Sequence, residues 1–404
     1  GRVAINADLL KAVRSRGQNL HIQLIEVSDP QFALINRSAG ETNVDDLLRQ
    51  FNATHGNAAE ATPSGETSES DFTVAEFQID RFALTNGKVE LIDLTGESLK
   101  AVGASQINLT INDAAMGRSL HAVLDAAVLG ETKNLSVEID TEAIDRTFRV
   151  TPVDLKIDLS PVSLAPISAF VTDLHGLTHG TFESHLNIHL GAVMPGGQGA
   201  TLLDGTILAQ GLRFNDSARA TTGDFAAKLK IAADVAKGNL QIDTLDVRMG
   251  QLQVSGKGRA TGLFTSAPSM SSLEIVGRNV DLEKLGRYYP PLESLVQKRI
   301  GGPFDFSVQG GGTATSPKLK VELDLTRAAI VWPGQFLKAK GVALVVESTI
   351  DATSSAVGSR TLHSRWAIQL ADQRAEGSFN MSVDSTSSKP ATTFDIAIES
   401  NALD

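Results

Sequence analysis

The sequence predicts a mainly β protein, a long curved antiparallel sheet with a few short helices at its N-terminal end and between repeats. Three observations carry that prediction: apolar and polar residues alternate along most of the chain, turn-forming clusters separate the alternating runs, and few segments have helical spacing. Strict alternation puts successive side chains on opposite faces of a strand, leaving one face apolar and the other polar. The pattern is explicit at Leu135, Val137 and Ile139, at Leu155, Ile157 and Leu159, and at Phe304, Phe306 and Val308. It recurs at Leu319, Val321, Leu323 and Leu325, at Trp366, Ile368 and Leu370, and at Phe394, Ile396 and Ile398. The alternation rule yields about 20 such segments. Between them, Asn86-Gly87, Lys237-Gly238-Asn239 and Gly310-Gly311-Gly312 supply the positive φ angles that hairpin turns need, which predicts mostly antiparallel meanders.

Helical spacing is confined to short stretches. Asn6 to Arg16 has apolar residues at 9, 10 and 13 behind an Asn6 cap, and Asn43 to Phe51 carries Val44, Leu47, Leu48 and Phe51. Leu164 to Leu174 and Leu292 to Ile300 are two further short candidates. Residues 52–71 are small, polar and acidic, and cannot offset their ordering entropy by burial. The expected organisation is therefore an N-terminal helix and strand unit over 1–51, a flexible acidic linker over 52–71, and a repeating β region over 72–404.

The repeat is visible in the apolar positions. Leu155, Ile157, Val162, Leu164 and Ile167 recur at Leu273, Ile275, Val280, Leu282 and Leu285, while Gly180 and Phe182 answer to Gly302 and Phe304. Repeats thus start near 155, 273 and 394, the last one truncated. Each reads as strand, short helix, then hairpin strands, the grammar of an array whose neighbours bury one another's faces.

Composition narrows the function classes. With 42% hydrophobic and 21% charged residues the chain can bury a core. Its 47 acidic against 36 basic residues give a net charge of −11, which repels a phosphate backbone and argues against a nucleic-acid partner. Without Cys there is no disulfide, thiolate metal site or Cys nucleophile. No run of about 18 apolar residues is present to span a bilayer as a helix. The chain opens on Gly1 without Met and stops at Asp404 in a strand-to-helix passage, and so reads as a piece of something longer.

Motifs of chemistry are absent. His175, His179, His185 and His189 form two His-x-x-x-His spacings, but His185 and His189 alternate with Leu186, Ile188 and Leu190. On a strand, two His four residues apart are separated by about 13 Å and cannot share one ion. No metal site, cofactor or catalytic residue is therefore expected. Gly256-Lys257-Gly258-Arg259-Ala260-Thr261-Gly262 has the wrong spacing for a dinucleotide loop and is expected to be a hairpin turn. Asp45-Asp46 lie near a helix start, where carboxylates are favourable, and Glu293, Lys298 and Arg299 read as a solvated face.

The N-terminal passage from Gly1-Arg2-Val3 through Ile22-Gln23-Leu24-Ile25-Glu26-Val27-Ser28-Asp29-Pro30-Gln31-Phe32-Ala33-Leu34-Ile35, closing with Gly40-Glu41-Thr42-Asn43-Val44-Asp45-Asp46-Leu47-Leu48, resembles the opening strands and Gly-x-x-Asn-x-x-x-Leu-Leu turn of the AsmA family. Ile79 to Val89, with Asn86-Gly87 at its centre, is similar to that family's strand, turn, strand unit. The segments ending Asn279 to Leu285 and Asn401 to Asp404 resemble its recurring C-terminal units. The resemblance implies a repeating β-groove in the periplasm of a Gram-negative envelope, anchored in the inner membrane by an N-terminal helix that this chain does not include. It also implies phospholipid as cargo, conveyed without chemistry toward the outer membrane.

Physical reasoning supports part of this from the residues. Too few helices are predicted to cover about 20 strands, so the apolar face must be filled by itself or by something else. Acyl methylenes transferred onto such a face gain roughly 0.8 kcal/mol each, on the order of 12 kcal/mol for a lipid chain of about 16 carbons. About 20 strands spaced at 4.8 Å would extend on the order of 100 Å. The competing arrangement is a self-filled sandwich or barrel. An aromatic content of 5%, with two Trp and two Tyr, departs from sugar-binding sheets and outer-membrane girdles, which use those residues heavily. The residues expected to contact lipid are Leu135, Val137, Ile139, Leu155, Ile157, Leu159, Leu273, Ile275, Phe304, Phe306, Val308, Val321, Leu323, Leu325, Ile368 and Ile396. The alternative expectation is an envelope scaffold that holds protein partners at its sheet edges.

Overall fold

The computed structural model describes residues 1–15, 19–38, 41–45, 49, 76–94, 100–115, 117–143, 152–168, 177–191, 193–194, 197–214, 222–265, 268–288, 300–313, 315–332, 334, 336–354, 359–384 and 391–400. Strands dominate them. The chain divides into two compact units, Gly1–Val193 and Met194–Asp404. The expected linker over 52–71 lies outside the described residues.

In the first unit β1 (Arg2–Ala7) pairs antiparallel with β2 (Asn19–Ser28). Next, β2 and β3 (Gln31–Ser38) lie end to end along one long strand, β5 (Glu76–Asp93), both parallel to it. The two-residue β4 (Glu41–Thr42) pairs back onto β3. From β5 an antiparallel run continues through β6 (Lys100–Ala115), β7 (His121–Val128), β8 (Leu135–Thr141), β9 (Val153–Ser163) and β10 (Leu177–Leu190). The sheet is therefore mixed, not antiparallel throughout. Parallel neighbours need a long crossover, and the chain between β3 and β5 is long enough to supply it. This pairing also ties residues 19–38 into the sheet that follows.

Asn86-Gly87 is not a hairpin turn; it is a bulge inside β5. Asn86 adopts φ 53° and its side-chain Nδ2 donates to Asp29 Oδ1 at 2.6 Å, while Asp29, between β2 and β3, has φ 51°. The break between the two short strands and the bulge in the long one thus interlock, which is why the turn signal does not end the strand.

After the two-residue strands β11 (Val193–Met194) and β12 (Gly197–Gln198), the second unit forms an antiparallel ladder. Its first members are β13 (Thr201–Phe214), β14 (Thr222–Asp234), β15 (Asn239–Met249), β16 (Leu252–Thr261) and β17 (Ser269–Val280). A small three-stranded sheet, β18 (Ile300–Gly301), β21 (Ala329–Trp332) and β22 (Phe336–Lys338), is formed by segments lying between the ladder strands. The ladder resumes with β19 (Phe304–Thr313), β20 (Ser316–Asp324), β23 (Leu344–Ser354), β24 (Ser359–Leu370), β25 (Gln373–Asp384) and β26 (Ala391–Ser400). Lys237-Gly238 makes the expected hairpin, with Gly238 at φ 64°. Gly310-Gly311-Gly312 instead lies within β19, and Gly256 to Thr261 lies within β16 with only Gly262, at φ 63°, in a turn. At Gly258 the absent Cβ leaves room for the neighbouring strand, because a Cβ there would approach the Ser272 carbonyl to 3.1 Å.

The described helices are short. In α1 (Leu9–Arg14) the cap is Asp8, whose carboxylate accepts from Lys11 N at 3.0 Å; Asn6 belongs to β1, where it faces Leu24. Residues 43–45 and 49 are helical, α2 covers Ala165–Ser168, and the remainder of both expected helices lies outside the described residues. Of the candidate over 292–300 only Ile300 is described, and it opens β18. The short helix that the repeat places after Val280 is α3 (Leu282–Tyr288), capped by Asp281, which accepts from Lys284 N at 3.1 Å.

The two windows aligned by sequence share a pairing register. Ile157 faces Leu186, Leu155 faces Ile188 and Val162 faces Phe182; at the matching positions Ile275 faces Val308, Leu273 faces Gly310 and Val280 faces Phe304. Both windows end in a bulge, then a short helix.

Packing concentrates at one end of the second ladder. Val280, Phe304, Leu325, Ala328, Ile330 and Leu344 form a buried cluster, with Leu282, Leu285, Ile300 and Leu370 against it. Lys338 is buried there, and its Nζ donates to the carbonyls of Ala328 (2.6 Å), Leu325 (2.9 Å), Thr326 (3.2 Å) and Ala339 (3.3 Å). Desolvation lowers the pKa of this ammonium, opposed by the Asp324 carboxylate.

Candidate functional site

Residues directly opposed across neighbouring strands share a face, so the register turns the sequence pattern into surfaces. In the second unit one row runs Ile207, Ala227, Val247, Val254, Gly277, Phe306, Leu323, Val346, Ile368, Ala375, Ser400, one residue from each ladder strand. The row beside it runs Gly205, Leu229, Leu245, Gly256, Ile275, Val308, Val321, Ser348, Trp366, Gly377, Ile398. The first unit repeats the arrangement in Leu186, Ile157, Val137, Leu124, Leu109, Leu84, Val27, Val3, and in Ile188, Leu155, Ile139, Ala122, Ile111, Phe82, Ile25, Ile5. Each unit thus carries an apolar band perpendicular to its strands.

Little of the protein covers these bands. Among the described residues no large side chain is fully buried, and most of the buried apolar residues in the first unit are alanines. The face is smoothed where rings lie over glycine: a Cβ at Gly277 would collide with the Phe306 ring, and one at Gly377 with the Trp366 ring. At the outer strands the apolar residues are largely open to solvent, Ile396 at 63% and Ile398 at 66% exposure, with Val3 and Ile5 similar.

All sixteen residues expected to contact lipid lie in the described part. Leu135, Val137 and Ile139 face Leu159, Ile157 and Leu155 in turn. Leu273, Ile275, Phe306, Val308, Val321, Leu323, Ile368 and Ile396 stand on the band of the second unit. Phe304 and Leu325 belong to the buried end cluster and are the least accessible of the set. Reading by alternation missed Ile242 and Leu245, which are three apart and should face opposite ways. A bulge in β15 places both on the band, facing Gly258 and Gly256. An apolar spacing of three inside an alternating run was the available signal.

The opposite face is polar and paired across strands. His185 Nδ1 lies 2.9 Å from Asp158 and His189 Nδ1 2.7 Å from Asp154, each with its own cross-strand carboxylate, while His179 is on the same strand and His175 lies outside the described residues. His21 Nε2 lies 2.8 Å from Asp80, and His121 Nδ1 lies 2.7 Å from Asp140. The His185 hydrogen bond lowers the Asp158 pKa, as the His21 hydrogen bond lowers that of Asp80. Among the described residues no three His, Asp or Glu side chains are placed to hold a metal ion.

No family model, curated protein or solved structure matches this chain. The functional argument therefore rests on the two bands. A surface of this kind offers dispersion and water exclusion along its length, and chemically it suits an extended apolar guest.

Proposed function

We propose that the protein binds phospholipid acyl chains on its apolar bands and conveys them between the inner and outer membranes of a cell envelope, making and breaking no bond. The observation that carries this reading is the succession of opposed, mainly apolar residues, strand after strand, with no covering layer among the described residues. A guest that slides along such a surface exchanges equivalent contacts at each step, so strong retention and easy movement are compatible. The likeness of the N-terminal passage to the AsmA family supports a periplasmic setting and an inner-membrane anchor outside this chain.

The test is chemical. Photocrosslinkers at Ile157 and Leu323 should yield lipid adducts by mass spectrometry, while crosslinkers at their opposite-face neighbours Lys156 and Glu322 should not. Equal labelling of both faces, or none at either, would overturn the reading. A second reading is an envelope scaffold that adds a partner strand at a sheet edge. A stoichiometric protein complex lost on changing Ile398 to Lys would select it.

A further inference from the structure

Hydroxyl groups interrupt two neighbouring rows of the second band at one place. The row through Ile275 and Val321 holds a single hydroxyl, Ser348 on β23. The row beside it runs from Leu203 through Leu273 and Ile350 to Ile396, and its single hydroxyl is Ser364 on β24. The two are diagonal neighbours, with their Oγ atoms 3.4 Å apart. Everything around them on that face is apolar: Val346 and Ile350 flank Ser348 along β23, and Leu362 and Trp366 flank Ser364 along β24.

Their hydrogen-bonding capacity is largely unused. At 3.4 Å the contact is longer than an ordinary hydroxyl pair, which sits near 2.7–2.8 Å. Two hydroxyls that share one hydrogen bond still leave one proton and most of their lone pairs free, and neither side chain has another partner among the described residues. Trp366 does not close the gap, because it stands opposite Ser348 but leans the other way, its ring over Gly377 on β25. Both serines are half-buried. An acyl chain lying across them strips their remaining water, and methylenes offer no acceptor in return. An ester carbonyl does. A free carboxylate would accept as well, but neither row carries a Lys or Arg to offset an anion on an apolar surface.

We propose that Ser348 and Ser364 form a polar notch in the apolar band that receives the ester carbonyl of an acyl lipid and so selects ester-linked over ether-linked chains. The notch has this role only if acyl chains lie on the band, as proposed above. Toward β13 the same two rows continue without a hydroxyl for roughly 34 Å at 4.8 Å per strand, a track for the chain itself. A lipid sliding along the band therefore has one preferred stop, where its carbonyl meets the two hydroxyls.

The test compares two lipids that differ only in their carbonyls. The chain, stripped of lipid, is incubated with vesicles holding equal amounts of a diacyl phosphatidylethanolamine and its dialkyl ether analogue, and the lipid it carries off is quantified by mass spectrometry. The native chain should retain the diester about tenfold over the diether, the size expected when a buried donor loses its acceptor. Ser348→Ala combined with Ser364→Ala should bring the ratio to within about twofold of unity, chiefly by admitting more diether, with each single change in between. Ser348→Thr keeps the hydroxyl and should keep the preference; Ser378→Ala, on the opposite face across from Arg365, should not alter it. A ratio near unity in the native chain, or a preference that survives the double alanine variant, overturns the notch while the lipid-carrying reading stands, since lipid is still bound. Retention of neither lipid overturns both. Oleate added in equal amount should not displace the diester, and displacement would overturn the ester assignment.

Discussion

The two halves of the second ladder solve the same problem differently. From β13 to β19 every strand pair contains a register shift, whereas from β19 to β26 no pair contains one. Yet the mainly apolar rows pass through both halves, with Ser348 and Ser400 as their polar members. The shifts fall at polar residues such as Asp243 and Ser271, and the apolar residues regain alignment on the far side of each one. Continuity of the apolar face is therefore what fixes register, and the backbone yields where no apolar side chain has to be placed. Bulges bend and twist a strand locally, and only the first half carries them.

The largest effect should come from removing a residue where the ladder is regular. Deleting Thr349 from β23 puts either Ile350 or Val346 on the polar face, and urea unfolding should show a loss of more than about 3 kcal/mol. Deleting Asp243 is the counterpart and should be mild, under about 1.5 kcal/mol. That deletion leaves Ile242, Thr244 and Leu245 in regular register with Ile231, Lys230 and Leu229 on one side and with Gly258, Lys257 and Gly256 on the other. Equal losses would refute the account of how register is set.

Next in size are the glycines under rings. Gly277→Val in the bulged half and Gly377→Val in the regular half should each cost about 1–3 kcal/mol through displacement of Phe306 and Trp366. A smaller cost at Gly277 would show that bulged strands accommodate strain more easily.

A charge on the open face sharpens the comparison further. Val321→Asp should leave the unfolding midpoint within about 1 kcal/mol of the parent, because the site is only half-buried, while lowering co-extracted lipid; a filled core would lose several times as much.

Acid should produce the smallest change. The Asp234 pKa is lowered mainly by the Lys237 side chain, and that of Asp324 mainly by the Thr326 side chain. A carboxylate with a folded pKa below its unfolded value of about 3.9 contributes its full stability above that pH and loses it as pH falls through the lowered value. Asp324→Asn should therefore flatten the acid limb of stability between pH values near 5 and 2 without changing its slope near neutrality, as followed by urea midpoints.

Much of the fold was readable in the residues, because the period of two that marks a strand is the pleat itself and survives any choice of neighbour. Leu155, Ile157 and Leu159 were bound to share a face whatever strand they met, and the Val162 to Phe182 and Val280 to Phe304 pairings follow the repeat that the sequence displayed. What lay beyond local reading was everything that depends on the partner. Asn86-Gly87 has turn chemistry but serves as a bulge, since two parallel strands meet opposite it. Ile242 and Leu245 reach one face only because the backbone slips between them. The burial of Lys338 required carbonyls supplied by residues up to thirteen positions earlier. Side-chain alternation is a property of one strand, and the sequence settled it; register, parallel pairing and the seating of Lys338 are properties of two or more segments at once, and only their meeting in space decided them.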